Sequence, residues 1–233
     1  MRPLLLLCAT LTMLTAEDFG TLVFSDDFER NESQELKDEP GNGWNTSSNW
    51  SAKDNKEVDL RDGTLHIYIH AEANHAVDVG HAFEFTDGTA TMRFKFHDAK
   101  DTLNLNFADT TYKEVHAGHL CQTVFGTKKT TLTDYKTGGM LLKYREARKN
   151  GTLTKEDEAF LKTKSKTFPY DISIGEWHSL AVTITGDTMT ASVDGKVIGS
   201  FSSPGIAHEK KRTLRLLVSN TVTLDEVKYY KKK

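Results

Sequence analysis

Met92-Arg-Phe-Lys-Phe96 and Leu103-Asn-Leu-Asn-Phe107 alternate apolar and polar side chains without a break. Successive side chains of a β-strand point to opposite faces, so each stretch reads as a strand with one apolar and one polar face. The same period organises Leu65-His-Ile-Tyr-Ile69 upstream. Working outward, further strands are expected over Leu22–Phe24, Val77–Phe85, Val115–Phe125, Thr130–Tyr135, Ser179–Thr185, Met189–Val193, Val197–Phe201, Leu214–Val218 and Leu224–Tyr230. Asp62-Gly63, Asp87-Gly88 and Asp194-Gly195 fall between apolar runs, and Asp-Gly supplies the positive φ angles of a tight hairpin. Roughly a dozen short strands joined by such turns predict an all-β sandwich or barrel.

One segment breaks the period. Met140 to Lys149 (MLLKYREARK) is composed of helix formers and ends at Asn150-Gly151, a suitable C-cap. Thr154 and Asp157 have the spacing of a capping box, Glu158 to Leu161 continue a second helix, and Pro169 stops it. A helical hairpin over 139–168, inserted between two strands, is the expectation. At the N-terminus, Arg2 followed by apolar Leu4 to Leu14 and the small pair Thr15-Ala16 reads as a secretory signal peptide over 1–16. That predicts a secreted or periplasmic protein whose mature domain is 17–233, without membrane insertion.

The chain holds 30 Lys and Arg against 33 Asp and Glu, a formal net charge of −3. Nucleic acid and anionic membranes select basic surfaces, so this mild acidity argues against both as partners. Only Cys121 remains after the leader, which excludes an intramolecular disulfide and leaves stability to the core. Glycosylation sequons occur at Asn31, Asn45, Asn49 and Asn150.

Three stretches carry a family resemblance. Phe24-Ser-Asp-Asp-Phe28 with Gly43-Trp44 resembles the opening strand of secreted laminin G-like and family-16-like jelly rolls. Gly175-Glu-Trp-His178, Val182-Thr-Ile184 and Ser192-Val-Asp-Gly195 are similar to the hairpin run of the same superfamily, and Leu224-Asp-Glu-Val227 to its closing strand. The superfamily is that of the concanavalin A-like lectins and glucanases. Within it, the chain looks most like bacterial 3-keto-disaccharide hydrolase or family-16-like glycoside hydrolase domains. The resemblance implies a two-sheet antiparallel jelly-roll sandwich, carrying the helical insert, whose concave sheet holds carbohydrate.

Several constellations could supply chemistry on such a face. A retaining glucanase of the true family-16 type presents Glu-x-Asp-x-x-Glu, or nearly so, on one strand. Glu57-Val-Asp59-Leu-Arg61-Asp62 begins like that motif and lacks its final glutamate, so an edge strand with solvated charges is expected there. Asp109 to His119 (DTTYKEVHAGH) is the better cluster, following the strand whose polar face shows Asn104 and Asn106. Glu114, His116 and His119 are its candidate acid–base groups, because imidazole titrates near neutrality. Lys113 adds an ammonium, and Gly118 between the histidines permits a bulge or a close backbone approach. Amides both donate and accept, which suits Asn104 and Asn106 to sugar hydroxyls. His66, Tyr68 and His70 share a second polar face and are candidate ligand contacts, with Tyr68 able to stack on a sugar ring. No motif points to a cofactor. The resemblance implies calcium, with Asp26, Asp27, Asp109 and Asp225 as candidate oxygen donors, although no EF-hand spacing occurs and the metal ligands stay unassigned. Three functions remain open: a glycan-binding jelly roll, a glycoside or 3-keto-sugar hydrolase, and a non-catalytic structural or adhesive domain.

Overall fold

The computed structural model of the protein describes residues 18–232, so the expected leader over 1–16 lies outside the described residues. In chain order the elements are β1 (Thr21–Asp26), β2 (Asn45–Thr46), α1 (Ser48–Ser51), β3 (Val58–Arg61), β4 (Thr64–Tyr68), β5 (Val77–Phe85), β6 (Gly88–Phe96) and β7 (Thr102–Ala108). A short 3₁₀ turn, His116–Gly118, then leads to β8 (His119–Gly126) and β9 (Lys129–Asp134). Two helices, α2 (Leu142–Lys149) and α3 (Lys155–Lys162), precede β10 (Ser165–Pro169), β11 (His178–Thr185), β12 (Thr188–Val193), β13 (Lys196–Ser202), β14 (Lys211–Val218) and β15 (Thr221–Lys231).

These strands form two antiparallel sheets. One runs β13-β12-β11-β6-β15-β4-β3, with β1 also on β15. The other runs β10-β9-β8-β7-β14-β5-β2. The alternation that announced the strands also fixes which face is inside. Met92, Phe94 and Phe96 of β6 meet Leu103, Leu105 and Phe107 of β7 in one core, each no more than 2 % exposed. Every large aromatic taken out of water there contributes about 1.5–3 kcal/mol.

The first and last strands close the molecule. Phe24 faces Tyr229 and Asp26 faces Val227 across an antiparallel pair. β15 divides its edge, pairing Thr221–Leu224 with β4 and Val227–Lys231 with β1. The division falls at an irregularity between Asp225 and Lys228, where Glu226 has φ 48°. Asp26 anchors the turn that follows by accepting from Arg30, Asn42, the Trp44 indole and the Phe28 amide. Burial alone would raise its pKa, and these donors hold it below the usual carboxylate range.

The expected helical hairpin is present. Thr154 and Asp157 cap α3 reciprocally, at 3.0 and 3.1 Å, and Gly151 takes φ 67° after α2. Its tail differs from the reading, because Ser165–Pro169 extends as an edge strand on β9. Leu142 and Phe160, apolar residues of the two helices, are 37 % and 40 % exposed. Tyr144 is the buried contact, with its ring 5.8 Å from that of Phe160.

The edge strand β3 carries a further difference. Glu57 and Asp59 are buried, not solvated. Lys56 explains Asp59: its ammonium lies 2.5 Å from Asp59, 2.5 Å from Glu32 and 3.1 Å from Glu35. Glu57 accepts from the His70 amide at 3.0 Å instead. The chain passing over the sheet edge covers charges that an isolated strand would leave in water.

Candidate functional site

The outer face of the seven-stranded sheet concentrates polar side chains at its middle. β7 and β8 pair antiparallel, setting Asn106 opposite Gln122, while a bulge sets Ala108 opposite His119. The bulge aims the His119 ring back at Asn106, with Nδ1 2.7 Å from Oδ1. Asn106 donates in turn to Gln122 Oε1 at 3.5 Å, and Gln122 lies against the Tyr135 hydroxyl. Burial, then Arg215, His116 and Arg145, depress the His119 pKa to about 4. A neutral imidazole that donates from Nδ1 keeps Nε2 as an acceptor, so the amide row sets the tautomer.

The turn before β8 positions both histidines. Gly118 has φ 73°, and a Cβ there would lie 2.4 Å from the Asp109 carbonyl oxygen. Only glycine allows that approach, which the bond from Asp109 N to Gly118 O at 2.9 Å requires. His116 donates its amide to Met140 O, and Leu142 donates to Glu114 O, stitching the start of the helical insert to this turn. The rings of His116 and His119 are 6.2 Å apart. Burial followed by Arg145 and Arg215 also lowers the His116 pKa.

Toward the β5 edge the same face forms a depression of about 240 Å³ lined by Asn45, Trp50, Asp78, Gly80, Thr213 and Arg215, among others. Trp50 is 59 % exposed and rests 5.5 Å from the His75 ring. Arg215 sits between Asn106 and Gly80 in the ladder, with Nε 3.7 Å from Asp78. Among the described residues the buried side-chain oxygen of Asn104 has no hydrogen-bond partner. Trp50, Asp78 and Arg215 were not among the residues singled out by sequence. The alternation Thr213, Arg215, Leu217 around apolar Leu214, Leu216 and Val218 would have placed the arginine on a polar face, but nothing in it says which strand lies alongside.

The remaining candidates go elsewhere. Glu114 is exposed and accepts from the Tyr112 hydroxyl at 2.7 Å. Lys113, also exposed, donates to Thr110 O. His66 and Tyr68 lie on the outer face of the other sheet, across the core from Asn104 and Asn106. His66 shares the Thr223 hydroxyl with His97, at 3.0 and 2.7 Å, and burial with Arg61 and His97 nearby pushes its pKa down to about 4. His70 leaves the strand, where its Nδ1 accepts from the Glu72 amide. Of the calcium candidates, Asp26 is filled by protein donors. Asp109 takes Thr111 and His208 at the far end of β7, and Asp225 pairs with Arg93 on β6. Asp27 accepts from the Glu29 amide. Glu32, Glu35 and Asp59 do approach one another closely, and the Lys56 ammonium stands among them.

No protein-family model matches the chain, and no curated protein does. Solved structures match it in fold. SCLam, a non-specific endo-β-1,3(4)-glucanase from family GH16, superposes with TM-score 0.60 over 94 % of this chain and 94 % of its own, at 12 % identity. A Bacillus licheniformis β-glucanase gives 0.58 at 10 % identity, covering 92 % of this chain and 99 % of that one. The carbohydrate-binding module CBM66 from Bacillus subtilis gives 0.52 at 8 % identity, covering 84 % and 96 %. The protein has the concanavalin A-like jelly-roll fold. In this jelly roll the Trp-His … Asp-Gly run is a clamp. His178 Nδ1 lies 2.7 Å from Asp194 Oδ2, Nε2 lies 2.9 Å from Ser173 Oγ, and the Ser179 amide donates to Asp194 Oδ1. These contacts fasten β11 and its approach loop to the β12–β13 turn, where Asp194 has φ 51°.

Proposed function

We propose that this jelly roll is an extracellular saccharide-binding domain, and that it takes its ligand on the outer face of the seven-stranded sheet. The carrying observation is the polar row Asn104, Asn106, Gln122 and His119 on a sheet face that also carries, across Arg215, the exposed indole of Trp50. Amides and a neutral imidazole exchange hydrogen bonds with hydroxyls in either direction, and an aromatic face packs on the apolar side of a pyranose. The partnerless Asn104 oxygen is a buried acceptor that a sugar hydroxyl would satisfy. Carbohydrate is named for SCLam and CBM66 as well, and the shared scaffold is consistent with the same ligand class here.

Binding is favoured over hydrolysis by what β7 carries. Asn104-Leu-Asn106-Phe-Ala-Asp109 has the spacing Glu-x-Asp-x-x-Glu, with amides in the first two places. An amide neither attacks an anomeric carbon nor delivers a proton, and retaining hydrolysis needs two carboxyls about 5–5.5 Å apart. Asp109 is bonded to Thr111 and His208. The test is calorimetric titration with an oligosaccharide panel, alongside a reducing-sugar assay. Binding without release of reducing ends is expected, with Trp50→Ala and Asn104→Ala each weakening it about tenfold, or 1.4 kcal/mol. Turnover would favour the hydrolase reading, and no binding across the panel would favour the structural one.

A further inference from the structure

Two arginines, Arg215 and Arg145, stand around the histidines of this face, although the chain as a whole is acidic. Arg215 lies mid-sheet with its side chain only 18 % exposed. Its ion pair with Asp78 runs through Nε at 3.7 Å, longer than a charge-assisted hydrogen bond. Among the described residues its terminal guanidinium nitrogens make no hydrogen bond. Arg145 projects from α2, exposed, and forms no ion pair among the described residues. The charges of both arginines act on the His116 and His119 rings, and that of His75 acts on His119. Asp78 is the carboxylate that answers them, and burial raises its pKa despite Arg215 and His75. A half-buried guanidinium with free forked donors is suited to a planar or tetrahedral oxyanion. The net charge of −3 means that overall attraction does not supply this preference.

We propose that the saccharide bound on this face is anionic, carrying a carboxylate or sulfate that Arg215 grips and Arg145 faces from the helical insert. This rests on the binding reading above. His119 then contacts a neighbouring hydroxyl, with the buried Asn106 amide holding its ring, while the insert becomes a wall of the site.

The experiment compares a neutral glucose tetrasaccharide with a glucuronate tetrasaccharide and a sulfated glucose tetrasaccharide. Each is titrated into the full protein at roughly 50 mM and 500 mM NaCl, where screening lengths differ severalfold. The anionic sugars are expected to bind about tenfold or more tightly than the neutral one at low salt, with the advantage shrinking at high salt. Arg145→Gln, an exposed change, should reduce that advantage severalfold. Arg215→Gln alone would strand Asp78, so it is paired with Asp78→Asn; that double variant should abolish the advantage while its melting curve shows it folded. Equal, salt-independent binding of neutral and anionic sugars overturns the inference and leaves the saccharide reading standing. Anion preference untouched by either variant overturns the placement on Arg215. Failure of all three sugars to bind overturns both readings.

Discussion

His119 shows how one residue acquires its chemistry from neighbours far away in sequence. An imidazole in water titrates near 6.5, and here burial, reinforced by Arg215, His116 and Arg145, brings it to about 4. The sign for stability follows by linkage. Below pH 6.5 the unfolded chain takes up a proton that the folded ring refuses. The stabilising contribution of a neutral His119 is therefore complete above about 6.5, erodes as pH falls toward 4, and changes no further below that. His66 behaves the same way on the opposite sheet. His119→Gln should flatten the fall in stability between pH 6.5 and 4, read from urea midpoints at several pH values. An unchanged slope would mean that the ring is solvated and free to protonate.

At the scale of elements, the insert is the part whose attachment propensity alone did not reveal. Local signals placed both helices, because capping boxes and glycine C-caps act within a few residues. Which side chain reaches inward depends on the surface underneath. Tyr144 is buried beside Phe160 of α3, while backbone bonds join Met140 to His116 and Leu142 to Glu114 at the turn before β8. Tyr144→Ala should loosen α2 and α3 together. Hydrogen exchange is expected to lose protection over 142–162 and keep it over β6, β7 and β15, whereas uniform loss would make the insert part of the core. β3 teaches a related point. Its charges looked solvated because an edge strand usually is, and Lys56 with the segment around Glu32 buried them.

At the scale of the molecule, the first and last strands and the two sheets meet at Tyr229. Its ring lies 5.2 Å from Phe24 of β1, 6.5 Å from Trp44 and 4.3 Å from Phe83 of β5 in the opposite sheet. Its hydroxyl is fully buried and has no hydrogen-bond partner among the described residues. Leaving such a group unpaired costs about 1–3 kcal/mol, so Tyr229→Phe, which keeps the ring, should stabilise the fold by about 1 kcal/mol. Because the residue joins both sheets, denaturation followed by circular dichroism and by tryptophan fluorescence should shift together. A loss of stability would instead show that the hydroxyl has a partner, such as a buried water.

Strands, turns, helix caps and the inward face of each strand were legible in the sequence, since all depend on neighbours within a few positions. The jelly roll itself was legible through motifs at both ends of the chain. The asparagines of β7 were likewise predictable as outward-facing, because Leu103, Leu105 and Phe107 must point inward. What lies beside them was decided only by strand order. β14 sits between β7 and β5, bringing Arg215 and Asp78 to the asparagines from more than a hundred and from about twenty-five positions away. The same ordering sent His66 and Tyr68 to the other sheet, although their period-two pattern matched that of Asn104 and Asn106. Alternation tells a side chain to face outward; it carries no information on which of two outer faces it joins, because that depends on pairings between segments the chain brings together only when folded.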